Sequence, residues 1–170
     1  MPKIDIRPIR VEGNVAYVPL TKGYEAVIDA DDAYLVEGTS WFARVKNRAI
    51  YAQTNAKGSD GPRMPWMHRL IMAAPDGAEV DHIDGDGLNN RRANLRLATP
   101  MQNRQNRRPH IDNTSGFKGV SFCKQTGKWR ASICANRKLT NLGRFSTPEE
   151  AYAVYCEASE RLHGDFGRTA

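Results

Sequence analysis

The stretch VDHIDGDGLNNRRANLRLATPMQNRQN, residues 80–106, carries the local signals that decide the fold around it. AEVDHI, residues 78–83, predicts a strand, and the glycine-rich DGDGLNN at 84–90 predicts a turn. In NLRLA, residues 94–98, two leucines flank an arginine, and this alternation predicts a second, half-buried strand. The stretch therefore predicts two strands joined by a loop.

A helix is predicted directly after the second strand. Thr99 suits the N-cap, Pro100 the first helical position, and Gln102 lies three residues after Thr99, as in a capping box. Upstream, MHRLIMA at 67–73 is a short apolar run that its pattern alone assigns to neither a strand nor a helix. The predicted order is therefore strand, loop, strand, helix.

This order brings the end of the first strand close to the helix, and with it Asp81, His82 and Asn103. Asp81 and Asn103 both offer oxygen ligands, which suit Mg²⁺ or Mn²⁺ better than Zn²⁺. His82 is a candidate general base, because a neutral imidazole can take a proton from water that attacks phosphorus. Alternation along a strand separates Asp81 from His82, so both reach one site only if the strand ends or twists at His82.

Two other kinds of metal site fit these residues less well. A calcium loop is rejected because His82 and Ala93 stand where an EF-hand needs its first and last acids. A zinc site from His68, His82 and His110 lacks helical spacing and any help from cysteine, so no zinc is expected. His68 is instead a possible accessory residue that packs beside the site or contacts a phosphate.

The chain before this stretch, residues 1–63, is predicted to be a small β-rich module. NVAYVPL, YEAVID, SWFARV and AIYAQTN have the character of strands, and DADDAYLVEG is a short helix candidate. NAKGSDGPR then predicts a turn or loop. With nine basic and eight acidic residues the module is nearly balanced in charge, and we expect it to support the segment that follows.

The chain after this stretch predicts a three-stranded sheet packed on one helix. The strands are FKGVSF, KWRASICA and LTNLGRF, and STPEEAYAVYCEASERLHG is the helix, with Thr147 and Glu150 as a capping box. Gly164 suits its C-cap. Alternation predicts that one face of the middle strand packs on the helix while the other faces outward. The inward residues are Trp129, Ala131 and Ile133, the outward ones Lys128, Arg130 and Ser132, and the helix face that packs is Ala151, Val154, Tyr155, Ala158 and Leu162.

The charge of the chain indicates a polyanionic partner. The net charge is +6, but residues 87–148 hold thirteen basic residues and a single acid, Asp112. A solvated protein surface usually mixes both signs, so a run of one sign favours nucleic acid as the partner.

Composition argues against a membrane or secreted protein. No apolar run approaches the roughly 18 residues that span a bilayer, and MPKIDIRPIR lacks the apolar stretch of a signal peptide. The three cysteines are widely spaced, so neither a disulfide framework nor a cysteine zinc site is expected. We expect a cytoplasmic protein, in the cytoplasm of the host cell if a phage encodes it, with no membrane partner and no small-molecule cofactor.

The segment MHRLIMAAPDGAEVDHIDGDGLNNRRANLRLATPMQNRQN resembles HNH homing endonucleases of phage and intron type, which have a ββα-metal finger. Asp81–His82, Asn94 twelve residues after the histidine, and Asn103 nine further on match the spacing of that family. The resemblance implies that Asp81 and Asn103 bind the divalent metal, that His82 activates water and that Asn94 fixes the loop. Members of the family with asparagine at the last motif position, here Asn103, include a nicking subset, so the resemblance also implies that one strand can be nicked.

The segment from Ser115 to Gly164 resembles the plant Apetala/ethylene-response-factor DNA-binding domain, through its GV, GKW, LGxF and A-x-x-Y-x-x-A elements. Such domains lay their sheet in the major groove of DNA. Asn141 and Ser121 depart from residues common in the plant members, so sequence preference does not carry over. The predicted DNA-binding residues are Arg91, Arg92, Arg96, Arg104, Arg107, Arg108, Lys118, Ser121, Lys124, Lys128, Arg130, Ser132 and Arg144.

The sequence therefore predicts an α+β, modular, metal-dependent endonuclease that hydrolyses double-stranded DNA at specific sites. Its predicted parts are a β-rich module at 1–63, an HNH ββα-metal domain at 64–108, a linker at 109–114 and an Apetala-like domain at 115–165. One alternative is a DNA-binding regulatory protein with an unused nuclease finger. Another is an RNA-binding structural protein, which shares the charge but needs surface aromatics for stacking bases.

Overall fold

The computed structural model describes residues 6–46, 49–55, 66–110 and 112–169. Packing divides the chain into two units, Met1–Pro100 and Met101–Ala170. The predicted loop NAKGSDGPR lies almost wholly outside the described residues. Among the described helices, none has the length and apolar character needed to cross a bilayer.

The first unit contains the four strands that the sequence predicted and one more. Strands β1, β2 and β3 form an antiparallel sheet in that order, and β4 and β5 form a separate antiparallel pair. The shortest strand was not predicted, because three residues are too few to show a period. These elements are β1 Arg10–Glu12, β2 Val15–Pro19, β3 Glu25–Asp29, helix α1 Ala33–Val36, β4 Trp41–Lys46 and β5 Ala49–Thr54.

The segment at 67–105 has the predicted order of strand, loop, strand and helix. The ambiguous run MHRLIMA forms helix α2, Met67–Ile71. Strand β6, Glu79–His82, pairs antiparallel with β7, Leu95–Ala98, and helix α3, Pro100–Gln105, begins at the predicted proline. The alternation predicted for β7 is incomplete: Leu95 is buried, but Leu97 is 47% exposed.

One hydrophobic core serves both the N-terminal strands and the ββα segment. Met67 and Val80 are buried in the same cluster as Ile28, Val36 and Trp41. A two-stranded sheet with short helices buries too little apolar surface to be stable by itself, so the N-terminal strands complete its core. The domain boundary predicted between residues 63 and 64 lies outside the described residues, and the segments on its two sides share this core.

The second unit has the predicted three-stranded sheet and helix. Strands β8 Val120–Cys123, β9 Lys128–Ala135 and β10 Lys138–Phe145 are antiparallel, with β9 in the centre. Helix α4, Pro148–His163, packs against this sheet.

Helix α4 confirms most of what its sequence predicted. Its capping box joins Thr147 and Glu150, and Gly164 is its C-cap. Ala151 and Tyr155 are buried against the sheet, whereas the prediction for Leu162 was wrong, because this last-turn residue is 45% exposed. With its small antiparallel sheets and few helices, the chain has the predicted α+β fold.

Candidate functional site

Asp81 and His82 end strand β6, and both are buried, at 4% and 6% exposure. Antiparallel pairing sets Asp81 opposite Arg96 and His82 opposite Leu95. The neighbouring turn begins immediately, since the amide of Gly85 donates to the carbonyl of His82 at 2.9 Å. The strand therefore ends at His82. Asp81 and His82 were expected to reach one site only if the strand ended or twisted there.

Asp81 is held by a guanidinium. Arg96 donates to Asp81 Oδ2 from Nε at 2.9 Å and from Nη2 at 2.7 Å. The Arg96 side chain is only 17% exposed. Arg96 was predicted to contact DNA, but in this structure it is directed at Asp81.

His82 is oriented by Asn90, a residue that the sequence analysis did not identify. His82 Nε2 lies 3.2 Å from Asn90 Oδ1, and Asn90 is fully buried. The Asn90 amide is fixed because its Nδ2 donates to the carbonyl of Leu88 at 3.0 Å. Oδ1 therefore faces the ring as an acceptor, and Nε2 must carry the proton, which leaves the lone pair on Nδ1.

The protonation state of His82 follows from its surroundings. Burial lowers the pKa of His82, and this effect outweighs the hydrogen bond to Asn90 and the charges of Asp84, Asp81 and Asp86, which raise it. The imidazole is therefore neutral at pH 7, the state that a general base needs. The doubled asparagine after the glycine-rich turn, Asn89–Asn90, was the signal in the sequence that could have identified this partner.

Asn94 ties the ends of the loop together. Its Oδ1 accepts from the amide of Asp84 at 3.0 Å, and its Nδ2 donates to Asp84 Oδ1 at 2.9 Å and to the carbonyl of Asn89 at 2.8 Å. Its own carbonyl accepts from the amide of Ile83 at 2.9 Å. Asn94 thus contacts the loop, whereas Asn90 contacts the imidazole.

The N-terminal sheet holds the far side of this loop through its backbone. The Val27 amide donates to the carbonyl of Leu88 at 2.8 Å, and the Asn90 amide donates to the carbonyl of Val27 at 2.7 Å. The loop therefore adds to strand β3 like a further short strand, with Val27 and Asn89 as a parallel bridge. The backbone of Asn90, the residue that orients His82, is thus set by the N-terminal module.

Two ion pairs strengthen the same junction. Arg91 Nε lies 2.8 Å from Asp29 Oδ1, and Arg92 donates from Nε and Nη2 to the buried carboxylate of Asp32. Burial tends to raise the pKa of Asp29, but hydrogen bonds from Arg91 and Arg92 lower it overall. Both arginines were predicted to contact DNA; in this structure they fasten the loop to Asp29 at the end of β3 and to Asp32 just before α1.

Gly87 lets the loop approach strand β5 closely. A Cβ atom at this position would lie 2.4 Å from the carbonyl oxygen of Ile50 and 2.5 Å from the ring of Tyr51. Tyr51 in turn contacts His82, with ring centroids 5.8 Å apart. No larger side chain fits at Gly87 unless Tyr51 and the strand shift.

His68, the possible accessory residue, lies beside His82. Their rings meet nearly at right angles with centroids 5.0 Å apart, and His68 also stacks on Trp66. Burial lowers the pKa of His68 to about 3, so the ring is neutral. Its Nδ1 is buried and has no hydrogen-bond partner among the described residues.

The donor set favours a metal that prefers oxygen and water ligands. Within the described part of the chain, no group of three or more His, Cys, Asp or Glu side chains could hold a metal ion. Asp81 is a buried carboxylate whose charge is balanced by Arg96 in the metal-free protein. A single carboxylate with amide, water and phosphate oxygens fits Mg²⁺ or Mn²⁺. Asn103 lies on α3 within the second unit, and its part in the site rests on the spacing of the motif.

The second unit presents a basic sheet face, as the alternation of β9 predicted. Lys128 and Arg130 are exposed and Ser132 is half-buried. Arg130 stands opposite Arg144 on β10 and Ser121 on β8. Like charges directly opposite each other destabilise a sheet, so this row favours an anionic partner.

The predicted DNA-binding residues of this unit differ in how exposed they are. Lys118 is half-buried and donates from Nζ to the carbonyl of Gln105; its burial, together with the charge of Arg168, lowers its pKa to about 8. His110, weighed earlier as a zinc ligand, is exposed beside Asp112. The exposed members are Arg104, Arg107, Arg108, Ser121, Lys124, Lys128, Arg130 and Arg144.

Comparison with known proteins identifies the segment around the site. Residues 66–105 match the HNH endonuclease family. The chain is 40% identical over 94 residues to protein 3.8 of Escherichia phage T7, covering 55% of this chain and 77% of that protein. It is 37% identical over 106 residues to a protein named an uncharacterized HNH endonuclease of Acanthamoeba polyphaga mimivirus, covering 59% of this chain. The match spans only 54% of the mimivirus protein.

A partial similarity concerns a plant protein. Over 55 residues, the chain is 42% identical to an AP2/ERF and B3 domain-containing transcription factor of Arabidopsis thaliana. The match covers 32% of this chain and 15% of the plant protein. No solved structure matches the chain.

Proposed function

Because the chain belongs to the family of phage T7 protein 3.8 and contains an HNH endonuclease domain, we propose that it hydrolyses phosphodiester bonds in double-stranded DNA with the help of Mg²⁺ or Mn²⁺. The observation that carries this proposal is the pair formed by Asp81 and His82. The Asp81 carboxylate, which pairs with the Arg96 guanidinium, is next in the chain to His82, a neutral imidazole whose tautomer is set by Asn90. This pairing suits metal-assisted attack by water on phosphorus.

In this mechanism His82 takes the proton of the attacking water at Nδ1. Its Nε2–H donates to Asn90, and this hydrogen bond strengthens as the ring gains charge. Asp81 and Asn103 would hold the metal ion, which supplies positive charge that stabilises the scissile phosphate and the leaving oxygen. Asn94 keeps the loop closed so that His82 and Asp81 hold their relative positions.

The basic face of the second unit would bring the DNA to this site. The row Arg144, Arg130 and Ser121 crosses the three strands and offers donors to phosphates and base edges. This role, together with the motif spacing, supports a site-specific, homing-like nuclease. Because a phage protein is among its relatives, we propose that it acts in the cytoplasm of a host cell. The lack of a last-position histidine supports a nick in one strand.

The proposal is tested with purified protein and supercoiled plasmid, in Mg²⁺ or in EDTA. We expect relaxed circular product in Mg²⁺ and none in EDTA, while linear product would indicate that both strands are cut. The alternative, a DNA-binding regulator with an unused nuclease finger, is supported if duplex binding is tight and neither Mg²⁺ nor Mn²⁺ yields any product.

The role of Asn90 predicts opposite shifts of the pH profile in two variants. In Asn90→Ala the hydrogen bond that raises the pKa of His82 is lost, so the acidic limb of kcat/KM should move to lower pH. In Asn90→Asp the acceptor returns with a negative charge, so the limb should move to higher pH. We expect the rate for Asn90→Ala to fall by roughly 10- to 100-fold, the usual cost of losing a partner that orients a catalytic group.

Initial rates of plasmid nicking between pH 5 and 9 measure both effects for the Asn90 variants. Thermal melts report the structural cost separately, since Asn90 also bonds Leu88. Identical pH profiles for both variants and the wild type would show that Asn90 only supports the loop.

Arg130→Ala should weaken DNA binding, and the pattern of the loss identifies its contact. If Arg130 contacts phosphate, the slope of log affinity against log salt becomes shallower by about one unit for every sequence. If Arg130 contacts a base edge, the variant should lose about 1–3 kcal/mol of discrimination between the right and the wrong base at one position of the target. Arg161→Ala, on the exposed side of α4, is the matched control and should bind like the wild type.

A further inference from the structure

We propose that Arg96 competes with the divalent metal for Asp81, so that loading the metal requires displacement of the guanidinium. This inference rests on the proposed function, because it takes Asp81 as the metal ligand. In this proposal Arg96 sets the metal concentration that is needed to fill the site.

The position of Arg96 is built into the fold. Arg96 and Asp81 are direct partners in the antiparallel pairing of β6 and β7, so the two Cα atoms are held opposite each other. Two hydrogen bonds from Arg96, at 2.9 and 2.7 Å, end on Asp81 Oδ2. Because both side chains are largely buried, the pair is not a surface contact that water readily screens.

A divalent metal ion and a guanidinium that share one buried carboxylate repel each other strongly. The interaction of charges grows as the effective dielectric constant falls, and the carboxylate here is almost fully buried. Metal binding and the Arg96 bonds therefore oppose each other.

The arginine can also yield its position without unfolding. Its three-carbon stem lets the guanidinium move several ångström while the backbone of β7 keeps its pairing with β6. In the metal-free protein, the same guanidinium keeps a buried carboxylate from being left without a counter-charge, which is strongly destabilising. Arg96 thus stabilises the protein before metal binds and raises the metal concentration that is needed.

The test is isothermal titration of Mn²⁺ into the full chain, without DNA. Arg96→Gln should bind Mn²⁺ about tenfold more tightly than the wild type, a coupling of ordinary size between competing ligands. Arg44→Gln is the control, since it removes an exposed arginine of β4 in the same unit and should bind Mn²⁺ like the wild type. Asp81→Asn should lose the site.

A thermal melt gives a second readout for Arg96. Without metal, Arg96→Gln should unfold at a lower temperature than the wild type, and Mn²⁺ should raise its Tm more than it raises that of the wild type. If Arg96→Gln does not fold, Arg96→Lys keeps the charge but not the two-bond fork, and its affinity for Mn²⁺ should lie above that of the wild type.

The outcomes separate this inference from the proposed function. If Asp81→Asn loses Mn²⁺ binding while the Arg96 variants bind as tightly as the wild type or less tightly, Arg96 does not compete and only this inference falls. If Asp81→Asn binds Mn²⁺ like the wild type, the metal is not held by Asp81, and the proposed metal site falls together with the inference.

Discussion

His82→Ala should slow DNA cleavage by at least about 100-fold, the lower end of what positioned base catalysis contributes. The substitution removes the imidazole whose tautomer Asn90 sets and whose neutral form burial maintains. Affinity for duplex DNA should be unchanged, because contacts between basic side chains and phosphates dominate binding.

Plasmid nicking in Mg²⁺ measures the rate for His82→Ala, and titration of a labelled duplex measures its affinity. His110→Ala, an exposed histidine of the second unit, is the matched control and should cut like the wild type. His82→Gln keeps more of the volume against Tyr51 and His68, so it separates loss of the base from loss of packing. Cleavage by His82→Ala at near the wild-type rate would assign the base to another group.

The second large effect concerns folding: residues 64–113 alone should be unfolded, whereas residues 1–113 should fold. The apolar side chains of the ββα segment, Met67, Ile71 and Val80 among them, are buried against Val36 and Trp41 of the N-terminal strands. Without that partner they would be exposed to water, and a two-stranded sheet does not compensate for the loss.

Circular dichroism and urea denaturation of the two fragments measure this difference. Both contain α3 and end at the same residue, so they differ only in the N-terminal strands. The shorter fragment should show no cooperative transition, and the longer one should unfold cooperatively. A cooperative transition in residues 64–113 would show that the finger has a sufficient core of its own.

Local patterns predicted most of the elements because each depends on residues close together in the chain. Strand-like stretches of the sequence located β2 to β10, and Thr147 with Glu150 located the start of α4. The run at α2 remained ambiguous because five residues fit a buried strand as well as a helix. The exposed Leu162 shows the limit of the same approach, since helical spacing does not reveal where the neighbouring sheet ends.

By itself the sequence determined the α+β fold and the order of strand, loop, strand and helix, and it predicted Asp81 and His82 as the chemical pair. Only the tertiary structure decided which groups surround that pair. Asn90 on His82 and Arg96 on Asp81 depend on the path of the loop and on the register of β6 with β7.

The support of the loop by Asp29 and Asp32 was likewise decided by the tertiary structure. These carboxylates lie some sixty residues before their arginine partners in the chain, at separations of 62 and 60 residues. Hydrophobic periodicity and capping signals act over a few residues, so they contain no information about such pairs. Contacts of this kind are chosen when a shared core brings distant segments together, which is why the role of the N-terminal module emerged only from the folded chain.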